Sequence, residues 1–525
     1  MLTIAPHPTH LTPARRRRSL ERLATERFDV IVVGGGVTGA GAALDAASRG
    51  LRTALVERVD LAAGTSRWSS KLVHGGLRYL AKGDLAVAWE SASERAALLG
   101  TIAPHLCRPV PFVIPLDETT GPGMGVLTEV GTRVGDVLRI ASRTGRRLLP
   151  PTTRLTTNDA LVHAPGLRPD RLRGALMYWD GQLEDDARLV TVLARTAAAY
   201  GAEVVTRCAA TGLSDDRVTL TDTLTGESIE ARGIVLNATG VWVGDHEPGL
   251  TIAPSRGSHI VVRSRVLGDP RSVFTAPVPD HFGRYVFGIP QPDGLTYIGL
   301  TDEPVCGADG IAPAVPSSDE HFLLETINRV LRVPLTTDDV IGRFAGLRPL
   351  VRLADRETAD ISRRHLLIDE PGRPLTLAGG KLTTYRRMAQ DAIDAVCRRL
   401  AVTAPCRTRD LPLAGATSRP ALRRVAAPER LVRRYGALAP VVHDLMEREP
   451  WLAVPVAPGC PTQLGELAYA VLAEGAMTVE DLLERRTRVS LVESEYAAAR
   501  PPAAEVLDVC LQALDDEVAL PSSVR

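Results

Sequence analysis

The stretch Phe28–Glu57, FDVIVVGGGVTGAGAALDAASRGLRTALVE, decides the fold of this chain. It opens with an apolar, β-branched run that predicts a buried strand. Gly34, Gly36 and Gly39 follow in G-x-G-x-x-G spacing, and a helical pattern then leads to a second short strand. A second glycine cluster, Gly121–Gly125, lacks both strand and acid, so we interpret it as a loop. The complete strand–helix–strand unit predicts a site for an adenine dinucleotide.

Each part of this unit has a physical role in the prediction. Gly34 permits the tight turn, Gly36 lets the backbone approach a pyrophosphate, and Gly39 lets helix and strand pack closely. The helix N-terminus offers N–H groups and the positive end of its dipole to phosphates. Glu57, which closes the second strand, can accept hydrogen bonds from a ribose. The predicted cofactor-binding residues of the unit are Gly34, Gly36, Val37, Thr38, Gly39, Glu57 and Arg58.

Composition limits the class of protein. A chain of 525 residues exceeds one hydrophobic core, so two or three domains are expected. The formal net charge is zero, which gives no indication of a nucleic-acid partner. No apolar run approaches the roughly 18 to 20 residues that span a bilayer. The basic run Arg15–Arg18 has no apolar segment behind it, so we interpret it as a solvated arm or a short helix start, not a secretory signal.

Cysteine usage points to a reducing compartment. The seven cysteines are scattered and form no C-x-x-C pair. A zinc or iron–sulfur site therefore has little support, and no metal site is predicted. An odd, dispersed set of cysteines fits reduced thiols in the cytosol.

Lysine is scarce in this chain. Of 62 Lys+Arg residues, only Lys71, Lys82 and Lys381 are lysine. A genomic bias toward arginine codons explains the scarcity as a whole. An ammonium group is a compact point charge and a guanidinium group is a planar fork, so a retained lysine marks a candidate site where arginine cannot substitute. Lys71 and Lys381 lie in glycine- and hydroxyl-rich motifs, whereas we interpret Lys82 as a surface residue.

Three further segments are predicted to belong to one active site. Ser66–Tyr79 combines hydroxyl groups, a double glycine and a cation, which suits a loop wrapped on a cofactor. Ile234–Gly240 reads as a strand with small residues at its end, where backbone can approach a ligand. Leu375–Arg386 reads as a strand, a double glycine and the start of a helix to about Leu400, whose N-terminus suits an anion. Together with the dinucleotide unit, these segments predict a flavin.

At this point the chain resembles the FAD-dependent glycerol-3-phosphate dehydrogenases, within the D-amino-acid-oxidase-like flavoproteins. The resemblance covers about residues 28–500, and its specific part consists of Val33–Gly41 with Ala43, Asp45, Arg49 and Gly50, and of Gly379–Lys381 with Thr384, Tyr385, Arg386 and Ala389. Ser69–Tyr79, Arg256–Val262 and Ala345–Leu350 are similar too. Trp68 and Val241 depart from the family pattern, in which a small or charged residue and a proline are usual.

The resemblance implies an α/β fold with three domains, an N-terminal arm and a linker. A Rossmann-like FAD-binding domain (about 28–85, 185–250 and 345–400) is interleaved with an α+β substrate domain (about 86–184 and 251–344). Residues 1–27 form an N-terminal arm, 401–416 a linker and 417–525 an all-α C-terminal domain. The helical spacing of Leu464, Leu467, Ala468, Val471 and Leu472 agrees with the last part. Thr478 with Asp481 resembles a capping box, and Pro501-Pro502 are expected to precede a further helix.

The resemblance also implies the reaction. Such an enzyme oxidises sn-glycerol 3-phosphate to dihydroxyacetone phosphate by hydride transfer from C2 to FAD N5, with electrons passed on to quinone. Arginine suits the phosphate because its fork binds in a bidentate way. The expected catalytic residues are His259, Lys381 and Arg348, and the expected substrate-binding residues are Arg78, Tyr79, His259, Arg348, Arg363 and Lys381. Further FAD contacts are expected from Ser66, Ser69, Ser70, Lys71, His74, Gly75, Gly76, Leu77, Ala238, Gly240, Gly380, Lys381, Leu382 and Thr383.

The general base has two candidates. His259 is favoured because histidine has a pKa near 6.5, and general-base catalysis favours a pKa near the operating pH. His74 is the alternative, because it lies in the flavin loop, where it could instead only orient that loop.

The sequence leaves other properties open. An oxidase of glycerol 3-phosphate that uses oxygen, an amino-acid-oxidase-like enzyme of the same fold and a non-catalytic flavin protein are the alternatives. The resemblance favours a cytoplasmic location with peripheral attachment to the cytoplasmic face of the membrane. A homodimer is one expectation for the assembly, and the sequence does not decide the oligomeric state.

Overall fold

The first of two large sheets carries the dinucleotide unit. The computed structural model describes residues 2–76, 84–117, 122–142, 144–247, 249–279, 281, 283–307, 311–352 and 365–519. The eight strands of this sheet are β1 Arg27–Val33, β2 Thr53–Val56, β7 Glu203–Val205, β8 Cys208–Leu213, β9 Arg217–Asp222, β10 Ser228–Asn237, β19 His365–Ile368 and β20 Leu375–Gly379. Its order is β19-β20-β10-β1-β2-β7, and all pairings from β20 to β7 are parallel. This is a doubly wound order, in which ligands bind at the carboxyl ends of the strands.

The second sheet is mixed and has ten strands. They are β3 Leu72–Val73, β4 Cys107–Pro115, β5 Thr153–Leu155, β6 Ala175–Leu183, β12 Ser255–Arg263, β13 Val273–Pro277, β14 Tyr285–Pro290, β15 Leu295–Gly299, β16 Glu303–Pro304 and β17 Gly342–Arg348. Strand β12 lies between β15 and β17 and pairs antiparallel with both. A separate pair joins β11 Thr251–Ile252 to β18 Val351–Arg352. Chain segments alternate between the two large sheets, and this gives the interleaving that the family resemblance implies.

Helices cover these sheets. They are α1 Pro13–Thr25, α2 Val37–Ser48, α3 Leu85–Ala97, α4 Pro122–Ala141, α5 Thr157–His163, α6 Asp186–Ala199, α7 Ser317–Asn328 and α8 Tyr385–Leu400. Helix α2 packs between α6 and α8, because its alanines let the backbones approach closely. On the opposite face of the parallel sheet, Leu23 of α1 packs with Phe28 and Ile31. The expectation of a loop at the second glycine cluster is wrong, since α4 starts there.

The C-terminal part is helical. Its helices are α9 Arg419–Leu422, α10 Glu429–Tyr435, α11 Ala439–Arg448, α12 Leu464–Glu474 and α13 Glu493–Ala519. Thr478 Oγ1 accepts from Asp481 N at 3.2 Å and Asp481 Oδ2 accepts from Thr478 N at 3.1 Å, so the predicted capping box is present. The expected helix start at Pro501-Pro502 is wrong, because both prolines lie inside α13. Burial of Ala499, Ala503 and Val506 on one face of this helix outweighs the local preference of proline for a helix start.

Buried ion pairs fasten the helical part to the dinucleotide half. Asp60, just beyond the end of β2, accepts from Arg486 Nη1 at 2.7 Å and from Arg485 Nε at 3.0 Å. Burial acts to raise the pKa of Asp60, but the neighbouring arginines, Arg486 above all, hold it at about 2. Glu474 of α12 accepts from Arg188 Nη1 of α6 at 2.8 Å.

The fold class predicted from the sequence is confirmed: a Rossmann-like half is interleaved with an α+β half, and a helical part follows. The exact domain boundaries stay a prediction. Among the described residues, no helix combines the length and apolar character needed to cross a membrane.

Candidate flavin and substrate site

The turn between β1 and α2 has the geometry that the glycines predict. Gly34 has φ +113, and a Cβ there would lie 2.6 Å from the carbonyl oxygen of Ala238. A Cβ at Gly39 would overlap the carbonyl oxygen of Gly34. Both positions therefore require glycine, because the turn passes against the end of β10 and the helix packs directly on the turn.

The N-terminus of α2 suits a phosphate. Its N-cap Gly36 has no side chain to satisfy the first turn, and that turn, which includes Val37 and Thr38, carries no acid. Ser66, in the single helical turn Thr65–Arg67, accepts from Val37 N through its Oγ at 2.9 Å. The same Oγ lies 3.1 Å from the position of a Cβ at Gly36. The Ser66 hydroxyl group and the N-terminus of α2 thus meet where a pyrophosphate is expected.

Glu57 stands at the end of β2 as predicted. Its Oε2 accepts from Gly35 N at 2.7 Å and its Oε1 accepts from Val59 N at 2.8 Å. Burial raises the pKa of this carboxyl group, whereas the two N–H donors favour its charged form. The Arg58 guanidinium lies 4.5 Å over the ring of Trp242, just after Gly240, which has φ +67. These residues fit the ribose end of an adenine dinucleotide.

The loop after this unit is held by one buried carboxylate. Asp186, at the start of α6, accepts from Ser69 N at 2.8 Å and from Ser69 Oγ at 2.7 Å. Its Oδ1 lies 2.9 Å from Lys71 Nζ, and the Lys71 side chain is only 1% exposed. The Lys71 ammonium group thus fixes the loop. The sequence analysis did not predict Asp186 as a site residue. The only local indication of it is the acidic run Glu184–Asp186 before a helix.

The double glycine of the same segment is also fixed. Gly75 N donates to Asp180 Oδ1 at 2.9 Å, and that oxygen also accepts from Arg95 Nη1 at 2.7 Å. Gly76 has φ +81, a conformation that favours glycine. His74, the alternative base, is half-buried directly after β3.

His259 lies in the middle of β12 and is almost completely buried, with 2% exposure. Its ring stacks on Phe344 of β17 at 4.5 Å, and Gly299 of β15 leaves the space for it. His259 Nε2 lies 2.8 Å from Ser70 Oγ, which joins the flavin loop to the second sheet. Burial, with Lys71 and Arg348 nearby, lowers the pKa of His259 to about 3. The pKa near 6.5 that is usual for histidine therefore does not hold at this buried position, and the imidazole is neutral at physiological pH.

Arg348 lies at the end of β17 in register with Ser255. Its Nη1 donates to Asp302 Oδ1 at 3.0 Å and to Ser255 Oγ at 3.2 Å, and its Nη2 donates to the Thr301 carbonyl at 3.2 Å. Gly257 makes room for the guanidinium, since a Cβ there would lie 2.7 Å from Nη2. Arg348 is thus held in one orientation and remains a third exposed, with a side-chain exposure of 34%.

The third predicted segment follows β20. Gly379 and Gly380 have φ +73 and +79, and Lys381 precedes the short helical turn Leu382–Thr384, which leads into α8. Strands β10 and β20 are parallel neighbours, so their carboxyl ends, with Ala238 and Gly380, lie at one edge. That edge also carries Gly34, as a doubly wound site requires.

The expected contacts Leu77, Arg78, Tyr79 and Arg363 lie outside the described residues, as does Lys82. Trp68 packs beside Phe344 with ring centroids 6.0 Å apart, and its Nε1 donates to the Ile311 carbonyl at 3.3 Å. Besides Asp186, the sequence analysis missed residues that have no local signature because their partners are distant in sequence: Asp302, Ser255, Phe344 and Gly299.

Comparison with known proteins gives a consistent result. The family described as FAD dependent oxidoreductase matches residues 29–386, and the C-terminal domain of alpha-glycerophosphate oxidase matches residues 406–517. Glycerol-3-phosphate dehydrogenase 1 of Mycobacterium tuberculosis is 44% identical over 500 residues, which cover 93% of this chain and 96% of that protein. The glycerol-3-phosphate dehydrogenase of Mycobacterium leprae is 39% identical over 547 residues, which cover 97% and 90%.

A solved structure agrees over the same length. The glycerol-3-phosphate dehydrogenase from Bacillus halodurans, complexed with FAD, matches with a TM-score of 0.72 and 27% identity. The match covers 96% of this chain and 97% of that chain.

Proposed function

We propose that this chain, which belongs to the family of FAD-dependent glycerol-3-phosphate dehydrogenases, oxidises sn-glycerol 3-phosphate to dihydroxyacetone phosphate. FAD is the cofactor of this family. The contact between Ser70 and His259 carries the proposal, because it joins the predicted flavin loop to the predicted base. Strand β17 carries both Phe344, which stacks on His259, and Arg348, which supports a phosphate clamp on the same sheet as that base.

The residues of the chain divide the binding of FAD between them. Gly34, Gly36, Val37, Thr38 and Gly39 would hold the pyrophosphate, and Glu57 with Arg58 would hold the adenosine end. The flavin end would lie against Ser66–Gly76, Ala238, Gly240 and Gly380–Thr383. When bound, FAD supplies the acceptor for the hydride that leaves C2 of the substrate.

The substrate needs a clamp and a base. The Arg348 guanidinium is oriented by Ser255 and the Thr301 carbonyl, so it can present N–H donors to a phosphate at little entropic cost. Arg78, Tyr79 and Arg363 are proposed to complete this clamp. His259 is neutral, so it can accept the proton of the C2 hydroxyl, and its burial keeps water away from the reacting group. Lys381 is proposed to stabilise negative charge that develops on the flavin or on the substrate oxygen.

The test of this function is anaerobic reduction of the flavin. Glycerol 3-phosphate should bleach the flavin absorbance, whereas glycerol and D-alanine should not. Bleaching by D-alanine would instead favour an amino-acid oxidase. His259→Ala should slow the reduction by roughly 10² to 10⁴. A wild-type rate in that variant would transfer the role of base to another group, with His74 as the first candidate.

We propose quinone as the electron acceptor, with oxygen as the alternative. The proposal rests on the resemblance to the dehydrogenases, and reoxidation of the reduced enzyme decides it. A soluble quinone should reoxidise the flavin much faster than air-saturated buffer. Rapid reoxidation by oxygen with release of hydrogen peroxide would identify an oxidase.

We propose a peripheral attachment to the cytoplasmic face of the membrane, where quinone is reached. The basic run of α1 offers less charge for this than its sequence suggests. Arg16 pairs with Asp222 at 2.7 Å, and Arg15 Nη2 donates to the Ala198 carbonyl at 2.6 Å. Arg17 and Arg18 remain exposed for anionic lipid. High salt or an alkaline wash should release the protein, and extraction by detergent alone would contradict this attachment.

A further inference from the structure

Asp186 is a buried acidic residue that has no assigned role in the proposed reaction. Its side chain is 1% exposed, and its two oxygens lie against Ser69 and Lys71. Lys71 Nζ also donates to the Arg67 carbonyl at 2.6 Å. A single carboxylate therefore ties together both residues that flank Ser70.

A role in starting α6 does not account for this arrangement. The N-cap of α6 is Asp185, whose side chain accepts from Arg188 N at 3.3 Å. Asp186 accepts locally only from Ala187 N, at 3.0 Å, and its remaining contacts lead to the loop. A negative charge in a first helical turn stabilises a helix, but Asp185 already provides one.

Ser70, the loop residue between Ser69 and Lys71, faces the predicted base. Ser70 Oγ lies 2.8 Å from His259 Nε2. Because Ser69 and Lys71 are both fixed by Asp186, the backbone on each side of Ser70 has little freedom. Lys71 has φ +58, a left-handed conformation that its own contacts must stabilise.

The charge of Lys71 also reaches the base. Its Nζ lies 5.2 Å from the ring of Phe344, which stacks on His259. A buried ammonium group beside this stacked pair disfavours protonation of the imidazole, and it contributes to the lowered pKa of His259. The carboxylate of Asp186 neutralises much of that charge, so the electrostatic environment of His259 depends on the pair and not on Lys71 alone.

We propose that Asp186 is a positioning residue of the reaction, which holds Ser70 against His259 through Ser69 and balances the charge of Lys71 beside the base. This inference rests on the proposed function, in which His259 accepts the proton. It assigns to Asp186 a role that a loop-forming contact alone would not require.

The experiment compares Asp186→Asn with Asp185→Asn in the FAD-loaded enzyme. Both variants remove a buried carboxylate, but Asp185 contacts α6 and Arg434 instead of the loop. Asp186→Asn should retain FAD, and glycerol 3-phosphate should reduce its flavin at least tenfold more slowly than that of the wild type. The pH profile of its flavin reduction rate should move to lower pH, since the charge of Lys71 is left without its counter-charge. Asp185→Asn should keep the wild-type profile.

The double variant Asp186→Asn with Lys71→Met isolates the charge effect. It replaces an ion pair by two neutral side chains, so its pH profile should return toward that of the wild type. The flavin midpoint potential should rise in Asp186→Asn and fall back in the double variant, because added positive charge stabilises the anionic reduced flavin. A rate, profile and potential equal to those of Asp185→Asn would overturn the proposal.

Ser69→Ala covers the case in which Asp186→Asn fails to fold. This variant removes the bond from Ser69 Oγ to Asp186 but keeps the backbone N–H bond and the ion pair, so reduction of the flavin should slow while its potential stays unchanged. Wild-type reduction in Ser69→Ala would then overturn the positioning role. The flavin midpoint potential is measured without substrate. If glycerol 3-phosphate fails to reduce the enzyme, the proposed function is refuted, but the charge effect of Asp186 can still be measured.

Discussion

Ser70 Oγ lies 2.8 Å from His259 Nε2, and this contact connects the loop of the dinucleotide half with the sheet that carries the proposed substrate site. Its partners are 189 residues apart in the chain. The buried imidazole depends on this hydroxyl group, since its Nδ1 has no hydrogen-bond partner among the described residues.

Ser70→Ala should slow flavin reduction by glycerol 3-phosphate. A buried nitrogen that loses its partner costs about 1–3 kcal/mol, which corresponds to roughly a 5- to 150-fold slower step if the contact persists in the transition state. Stopped-flow absorbance measures the rate. Ser66→Ala is the matched control, because Ser66 contacts the N-terminus of α2 and should affect FAD retention more than reduction. Equal effects of both variants on reduction would contradict the assignment.

Arg348→Ala should abolish most use of the phosphate substrate. The loss of a charged partner for a buried phosphate is expected to lower kcat/KM by more than tenfold, or about 1.4 kcal/mol. Steady-state kinetics with glycerol 3-phosphate give the value. Arg343→Ala is the control on the same strand, because Arg343 pairs with Glu320 at 2.6 Å and should leave turnover unchanged. Normal turnover in Arg348→Ala would locate the clamp elsewhere.

Glu57→Ala should weaken the retention of FAD. The carboxylate accepts two backbone N–H groups and is proposed to accept from the ribose, so its removal should cost roughly 1–3 kcal/mol of FAD binding. Equilibrium dialysis or flavin fluorescence of the reconstituted apoprotein measures this. Unchanged affinity would show that Glu57 only braces the turn.

Lys381→Ala should fold and bind FAD, but substrate should reduce its flavin slowly. Lys381→Arg should also be impaired, because a planar fork does not replace a compact point charge. Stopped-flow reduction and the flavin midpoint potential separate two roles. A lower potential in Lys381→Ala indicates stabilisation of the reduced flavin, whereas an unchanged potential with weaker substrate binding indicates contact with the substrate. If rate, potential and binding all equal those of the wild type, Lys381 has no part in the site.

Stability should fall as the pH drops from about 6.5 toward 4. Burial lowers the pKa of His10 to about 4, of His105 to about 3 and of His259 to about 3. The histidines of the unfolded chain have a pKa near 6.5, so in this window the unfolded chain binds more protons than the folded protein. The free energy of unfolding therefore decreases with falling pH. Thermal unfolding of the FAD-loaded enzyme at several pH values should show a declining Tm.

His105→Leu should reduce this pH dependence. Neither ring nitrogen of His105 has a hydrogen-bond partner among the described residues, so the variant removes the titration and loses no such bond. His321→Ala is the control, since the His321 side chain is 84% exposed and should not alter the slope. An unchanged slope in His105→Leu would mean that His105 is charged in the folded protein.

The sequence alone determined the dinucleotide unit, the parallel strands that follow it and the helical pattern of the C-terminal part. These features are local: a strand, a glycine turn and a helix start each lie within a few residues, and their spacing reflects backbone geometry. Local preference failed at two places. Helix α13 runs through Pro501-Pro502 because burial of one face outweighs it, and α4 begins within the glycine cluster that the sequence predicts as a loop.

Only the tertiary structure decided how the candidate site is held and charged. Asp186 meets Ser69 across 117 residues, and His259 meets Phe344 through the register of two strands. Such pairings depend on how the sheets assemble, so no local spacing contains them. The pKa of His259 is likewise set by burial and by the charges of Lys71 and Arg348, which the chain brings together only when it folds.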